Sequence, residues 1–305
     1  MTTILECITG SNLYGTNTPD SDKDYQGIFI ADLDNYFGLE KIEELDLSVK
    51  DKDKFGKNNP EAIDKKLFEI RNFFKLGFQN NPNVIELFFI NKENIVSKNE
   101  FYDIITENRD SFLNSENIKK RFIGYSFSQK KKMVVKLEHY NLFKDTYDLL
   151  STFDDKQFLY EVNLFVNNIS FECNNKGNYL IGDIYIPKNV SVKKAKQLIG
   201  ERLKRVGHRQ ELILKYGYDC KFASHSVRLL LEAIELLTTK EIVFPLKYAN
   251  DILEIKQGKY NIRQILKRIE DLETEIRSLE FKPYKNNYSK VNDLLINILK
   301  EEFTL

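Results

Sequence analysis

The sequence predicts an α+β fold, with strands at the N-terminal end and a mainly helical remainder, on three observations. Residues 1–30 alternate quickly between short apolar runs and turn residues, the hydrophobic period becomes helical from about Leu67, and the last third is strongly helical. Thr2–Thr9 reads as a strand that Gly10-Ser11 breaks, Asn17–Ser21 with Pro19 as a turn, and Asp22–Ile30 as a second strand. Leu67, Ile70, Phe74 and Phe78 then share one helical face, and Asn81-Pro82 supplies an N-cap and a first-turn proline for a helix over Asn83–Phe89. Tyr179–Pro187 is strand-like behind an Asn174–Asn178 turn. Helices are expected over Val192–Tyr216, Cys220–Thr238, Asn261–Leu279 and Ser289–Phe303. Ile262, Ile265, Ile269, Leu272, Ile276 and Leu279 make an amphipathic stripe that packs either within the chain or across a dimer. The change of period places a domain boundary near residue 110, giving domains 1–110 and 111–305.

Lys+Arg and Asp+Glu both number 46 in 305 residues, so no global positive field gathers nucleic acid or anionic lipid. The neutral total hides an uneven spread. Residues 1–64 carry fourteen acidic and six basic side chains, whereas residues 190–228 carry ten basic and three acidic ones. An acidic site facing a basic helical face suits polyphosphate chemistry with bound cations, and two solvated faces of opposite sign would read the same way. Cys7, Cys173 and Cys220 are an odd number at no metal-ligand spacing, which argues against a disulfide framework and for a reducing compartment. With no basic, apolar leader and no run of 18 apolar residues, a cytoplasmic protein without a membrane partner is expected.

The stretch that carries chemistry is Ile8-Thr9-Gly10-Ser11 through Ser21-Asp22-Lys23-Asp24-Tyr25. A Gly-Ser pair directly after a strand lets backbone N–H groups approach a phosphate closely. Asp22 and Asp24, two apart on a strand, point to one face, where two carboxylates repel unless a cation sits between them. Mg²⁺ is the usual partner of oxygen ligands so arranged. No Ser-His-Asp arrangement, Walker loop or zinc motif is present.

At these residues the chain resembles the DNA polymerase β-like nucleotidyltransferase superfamily, whose signature is Gly-Ser or Gly-Gly, a spacer of about ten residues, and Asp-x-Asp. The fuller string Gly-Ser-x-x-Tyr-Gly-Thr-x-x-Pro-x-Ser-Asp-x-Asp-x-x-Gly, Gly10 to Gly27, narrows the resemblance to the RNA repair pathway DNA polymerase β family. Phe68–Phe74 with Asn81–Phe88, and Tyr216–Leu230 with Gly258-Lys259-Tyr260, look like further blocks of that family, so the resemblance spans residues 4–262 and leaves out the C-terminal helices. It implies a nucleotidyltransferase palm with a small mixed sheet over residues 1–110, and a helical region over 111–305 that closes on the nucleotide and presents the acceptor. It further implies transfer of a nucleoside monophosphate from an NTP to a hydroxyl with release of pyrophosphate, the acceptor being an RNA, such as a tRNA 3′ end. Nucleotidylation of a protein or small molecule, and a non-catalytic antitoxin-like or scaffold role, are the rival readings.

By this resemblance Gly10, Ser11 and Ser21 bind the nucleotide, and Asp22 and Asp24 hold two Mg²⁺ ions, for which Mn²⁺ could substitute. A third metal-binding carboxylate is matched to Asp64, although Asp64 could equally cap a helix starting near Lys65, and Asp51 and Asp53 lie close enough to compete. Lys23 stands where the superfamily commonly has an apolar residue. Lys221, His225, Arg228 and Glu232 fall at spacings of four, three and four, a cationic helical stripe for the triphosphate or acceptor. Arg202, Arg205 and Arg209 form a similar stripe that is equally a solvated face. Tyr14 either stacks on a base or belongs to the core, Asn81-Pro82 with Glu86 reads as helix initiation with packing or a buried ion pair, and His139 and His208 stand alone.

Overall fold

A computed structural model provides the structure, which describes residues 1–19, 21–49, 63–166, 169–205 and 208–304. Strand β1 (Thr2–Thr9) runs into a five-residue helix α1 (Gly10–Tyr14), and β2 (Asp24–Ile30) returns antiparallel to it. After α2 (Asp34–Phe37) and β3 (Glu44–Asp46), β4 (Asp64–Glu69) lies parallel to β2 and leads into α3 (Ile70–Phe78). Helix α4 (Pro82–Ile85), β5 (Ile95–Lys98) and α5 (Glu100–Glu107) follow. The strands form one mixed sheet of order β3-β4-β2-β1-β5, and the fold is α+β as expected.

The remainder is mostly helical. Helix α6 (Ser115–Leu150) precedes two small hairpins, β6 (Phe165–Val166) with β7 (Ile169–Ser170) and β8 (Asn178–Ile181) with β9 (Ile184–Pro187). Then come α7 (Val192–Arg205), α8 (His208–Tyr216), α9 (Cys220–Thr239), α10 (Ala249–Lys256), α11 (Ile262–Ser278) and α12 (Tyr288–Glu302). Among the described residues no helix is long and apolar enough to cross a membrane.

Several boundaries differ from the sequence reading, each for a physical reason. Leu67 and Phe68 lie in β4, not in the helix, where Leu67 pairs with Gly27 on one neighbouring strand and Leu45 on the other; successive strand residues point to opposite faces, and both are buried, so this part of the strand reads as a continuous apolar run. Glu69 ends that strand and caps α3, its carboxylate accepting the Arg71 N–H at 2.9 Å. Asn81 does cap the helix that opens with Pro82, but after Ile85 the coil tightens into a 3₁₀ turn over Glu86–Phe88. Val192–Tyr216 is described as two helices, and Tyr179–Pro187 as two strands of a hairpin that turns at Gly182, φ +58°. Ile265, Ile269 and Ile276 of the α11 stripe are fully buried within this chain, the intrachain alternative.

The chain forms two compact units that interleave along the sequence instead of following one another. The first comprises Met1–Ser126, Ser226–Glu254 and Arg268–Leu305, and the second Phe127–His225 and Ile255–Lys267. In the first, α3 contributes Phe73 and Phe74 to an aromatic cluster with Phe88 and Phe112, with ring centroids 4.8–6.1 Å apart. Phe29, Ala31 and Leu67 pack under Tyr36, Ile42 and Leu45 elsewhere in that unit. The second unit has its own core, in which Phe143 and Leu150 of α6 meet Ile181, Ile186 and Ile199.

Candidate active site

Gly10 opens α1 where β1 ends, with φ at +62°, a backbone conformation that residues bearing a Cβ rarely adopt. Space adds a second constraint, since a Cβ at this position would lie 2.2 Å from Asp24 Oδ2. The backbone of the Gly10-Ser11 turn therefore lies directly against the Asp24 carboxyl. Asp24 is opposite Thr9 on β1 and opposite Asp64 on β4, and directly paired residues project from the same face of a sheet. Asp64 is thus the first residue of a strand and no helix begins at Lys65, which removes the N-cap reading; Asp51 and Asp53 lie outside the described residues.

Asp22 precedes β2, two residues before its first paired position, so the predicted Asp22–Ile30 strand is shorter than expected. Its backbone is fixed to α1 by Asn12, whose Nδ2 donates to the Asp22 carbonyl at 3.1 Å. Thr9 Oγ1 donates to the Asp24 carbonyl at 3.3 Å. Lys23 is exposed at this unpaired entry to the strand, which accounts for a charged residue where an apolar one is common. Ser21 Oγ accepts the Thr18 N–H at 2.8 Å and so closes the turn before Asp22. Ser48 Oγ donates to Asp64 Oδ1 at 3.0 Å.

A divalent cation is tested by the donors themselves. Asp22, Asp24 and Asp64 offer only hard carboxylate oxygens, and Asp24 faces a cradle that any Cβ at residue 10 would fill; both features suit Mg²⁺ in kind. Among the described residues no three His, Cys, Asp or Glu side chains are drawn together into a ready-made cage.

Behind α1 lies a buried polar network. Tyr14, the last residue of α1, donates its hydroxyl to Glu86 Oε2 at 2.7 Å, and its ring is covered by the Arg228 guanidinium, 4.1 Å from the ring centroid. Arg228, 5% exposed, donates to Glu86 and, at 2.6 Å, to Glu232 Oε1. Burial pushes the Glu232 carboxyl up to about 8, against the pull of Arg228 and with Glu86 adding to the rise. Burial also raises the Glu235 carboxyl, which Lys247 partly offsets, and holds the Tyr14 hydroxyl well above its ordinary range. Arg228 stays charged because Glu232 and Glu86 outweigh the burial that works against it. Gly15, at φ +72°, ends α1, and the Tyr14 carbonyl accepts the Leu246 N–H at 3.2 Å.

The expected stripe on α9 is divided by this arrangement. Lys221 and His225 are exposed in the second unit, whereas Arg228 and Glu232 are buried in the first, so Arg228 is an internal ion-pair partner and not a surface cation. Glu86 is in the buried ion pair anticipated from the Asn-Pro block, and Tyr14 is half-buried against it, between Glu86 and Arg228. Arg202 is paired with Asp183, while the side chains of Arg205, His208 and Arg209 lie outside those described. Asn12, Ser48 and Glu235 carry no signal in the sequence, since each acts through contacts that no local spacing marks.

The pattern of one protein family, the RNA repair pathway DNA polymerase beta family, matches residues 1–302. The chain belongs to that family. The match reaches through α11 and α12, so the C-terminal helices, expected to fall outside the resemblance, are part of the family unit. The chain is also 23% identical, over 320 aligned positions, to an uncharacterized 38.9 kDa protein in the nrdC-mobD intergenic region of Enterobacteria phage T4, covering 96% of this chain and 94% of the phage protein. No solved structure matches. Membership in the RNA repair pathway DNA polymerase beta family points to a polymerase β-like nucleotidyltransferase.

Proposed function

We propose that the protein transfers a nucleoside monophosphate from an NTP to an acceptor hydroxyl with release of pyrophosphate, and that the acceptor is an RNA 3′ end such as that of a damaged tRNA. The observation that carries this reading is the contact of Gly10 with Asp24, in register with Asp64 on the parallel strand. A strand-end glycine turn for phosphates lies directly against carboxylates suited to the cation that accompanies them.

In this reading the N–H groups of Gly10 and Ser11 hold the triphosphate, and Asp22 and Asp24, with Asp64, hold Mg²⁺. The cations supply activation of the acceptor hydroxyl and neutralisation of the charge that develops on pyrophosphate. Asn12 and Thr9 fix the backbone of Asp22 and Asp24 relative to the turn, which sets the spacing between these carboxylates and the N–H groups proposed for phosphate. Ser21 shapes the turn that delivers Asp22, and Ser48 orients Asp64. Lys221, exposed near the start of α9, is proposed to contact the RNA acceptor.

Incubation of each α-labelled NTP with Mg²⁺, total cellular RNA and either native protein or Asp22→Ala/Asp24→Ala tests this. Label is expected in RNA with the native protein alone. Label on protein or a small molecule would replace the acceptor, and no transfer to any acceptor would overturn the catalytic reading in favour of a binding role.

A further inference from the structure

The zero net charge of the chain conceals two strongly charged bodies. The second unit carries 21 Lys and Arg against 11 Asp and Glu, a net of +10; the first, which holds the three carboxylates, carries 25 against 35, a net of −10. A polyanionic ligand is therefore drawn to the second unit by its field.

Within that unit Phe158 and Tyr160 stack in the open. Their rings are 5.5 Å apart and 9° from parallel, and the residues are 44% and 53% exposed. Leu159 between them is fully buried, and the N–H groups of the three donate to Glu161 Oε2, the Val190 carbonyl and the Lys188 carbonyl at 2.8–3.0 Å. The backbone under the rings is thus fixed, and the rings present apolar faces to water that folding does not bury. This segment is joined to the start of α7, since Phe158 bridges Ser191 and the Lys193 N–H donates to the Asp155 carbonyl. Lys193, Lys196, Gly200 and Lys204 follow at spacings of three, four and four on one face of α7. With Tyr147 of α6 they line an open cleft of about 580 Å³. Lys196 is paired with Asp155 at 2.6 Å, and Glu201 is the carboxylate in the cleft; Lys193 and Lys204 make no ion pair among the described residues.

We infer that this ridge and cleft of the second unit bind single-stranded RNA, with bases stacked on Phe158 and Tyr160 and phosphates held by Lys193 and Lys204. The inference rests on the RNA-acceptor reading and supplies that acceptor with a surface. A single strand fits better than a duplex because only unpaired bases offer their faces to aromatic rings. An acidic protein would answer the charge but leave the rings without a role.

The test is fluorescence anisotropy of a short labelled single-stranded RNA, and of the same sequence as a duplex, with the full chain across a KCl series. Single strands should bind more tightly than the duplex, and Phe158→Ala/Tyr160→Ala should weaken that binding by roughly tenfold or more. Lys193→Gln/Lys204→Gln should flatten the plot of log affinity against log salt by about 1.4, two phosphates' worth. Variants that melt like the native chain but bind with native affinity and salt slope, or a preference for duplex, would overturn the inference. Transfer of label to RNA with an unchanged KM in the ring variant would likewise remove this surface while leaving the proposed reaction intact. Ring-dependent binding without any transfer would uphold the surface and sink the reaction.

Discussion

Glu232→Gln isolates the buried network behind α1. The Glu232 carboxyl is raised from 4.5 to about 8, so the folded chain holds its proton more tightly than the unfolded chain does. The stability this group contributes is therefore fully present below pH 4.5 and is lost as the pH rises through about 8. Linkage at 1.36 kcal/mol per pH unit, tapering near the pKa, gives a loss of about 2 kcal/mol between pH 6 and 8. For domains of this size that is a fall in Tm of roughly 4–8 °C. Glutamine mimics the protonated acid, keeps an oxygen for Arg228 and has nothing to titrate. Thermal melts at pH 6, 7 and 8 should therefore show the variant close to native at pH 6 and more stable than native at pH 8 by about that margin. The difference between the two curves cancels every group that titrates in both proteins. Parallel curves, or a variant less stable than native at pH 8, would refute the claim that Glu232 carries its charge at a cost.

The same network predicts that Arg228→Met, which leaves buried Glu86 and Glu232 without their shared partner, lowers unfolding stability by about 3–5 kcal/mol in urea titrations, with part of the loss recovered when Glu86→Gln is added. Gly10→Ala forces a Cβ onto the Asp24 carboxyl at positive φ; it should cost about 1–3 kcal/mol and reduce nucleotide transfer at least a hundredfold, and transfer within twofold of native would contradict the role given to this contact. Asp64→Asn, at an exposed strand end, should change stability by no more than about 0.5 kcal/mol while lowering transfer more than tenfold in the labelled-NTP assay.

The N-terminal unit was legible in the sequence where local rules decide. Thr2–Thr9 is the strand expected from apolar content and the glycine that follows, and Asn81-Pro82 caps as its chemistry requires. Leu67 and Phe68 misled because both faces of β4 are buried at these two residues, and a buried strand and the start of a buried helix carry the same apolar signature. The stripe on α9 failed for a different reason. Periodicity places Lys221, His225, Arg228 and Glu232 on one side of a helix, but cannot report that the packed surroundings change halfway along a helix shared by two units. Spacing alone also leaves Arg228 a free cation, because Glu86 lies 142 residues away in sequence. The pairing of Asp24 with Asp64 depends on the parallel register of β2 and β4, which no local pattern encodes.

That register explains why the candidate site draws on so much of the chain. Helix α1 is five residues long, too short to hold its own geometry by internal hydrogen bonds. Its position is imposed from outside: at one end by the Asp24 carboxyl against Gly10, along its length by Asn12 on the Asp22 carbonyl, and at the other end by Leu246, Glu86 and Arg228 around Tyr14. The first and second of these constraints come from the adjoining hairpin, but the third comes from Glu86, 72 residues from Tyr14, and from α9 and the loop after it, more than 200 residues along the chain. If the Gly10-Ser11 turn holds phosphate as proposed, the spacing of its N–H groups from the carboxylates is set by contacts from β2, from the 3₁₀ turn that bears Glu86, and from α9 and the loop after it. Residues 226–254 group with residues 1–126 in the first unit, and among the contacts that join the two segments are those of Arg228 and Leu246 with Tyr14 at the far end of the short helix bearing Gly10 and Ser11.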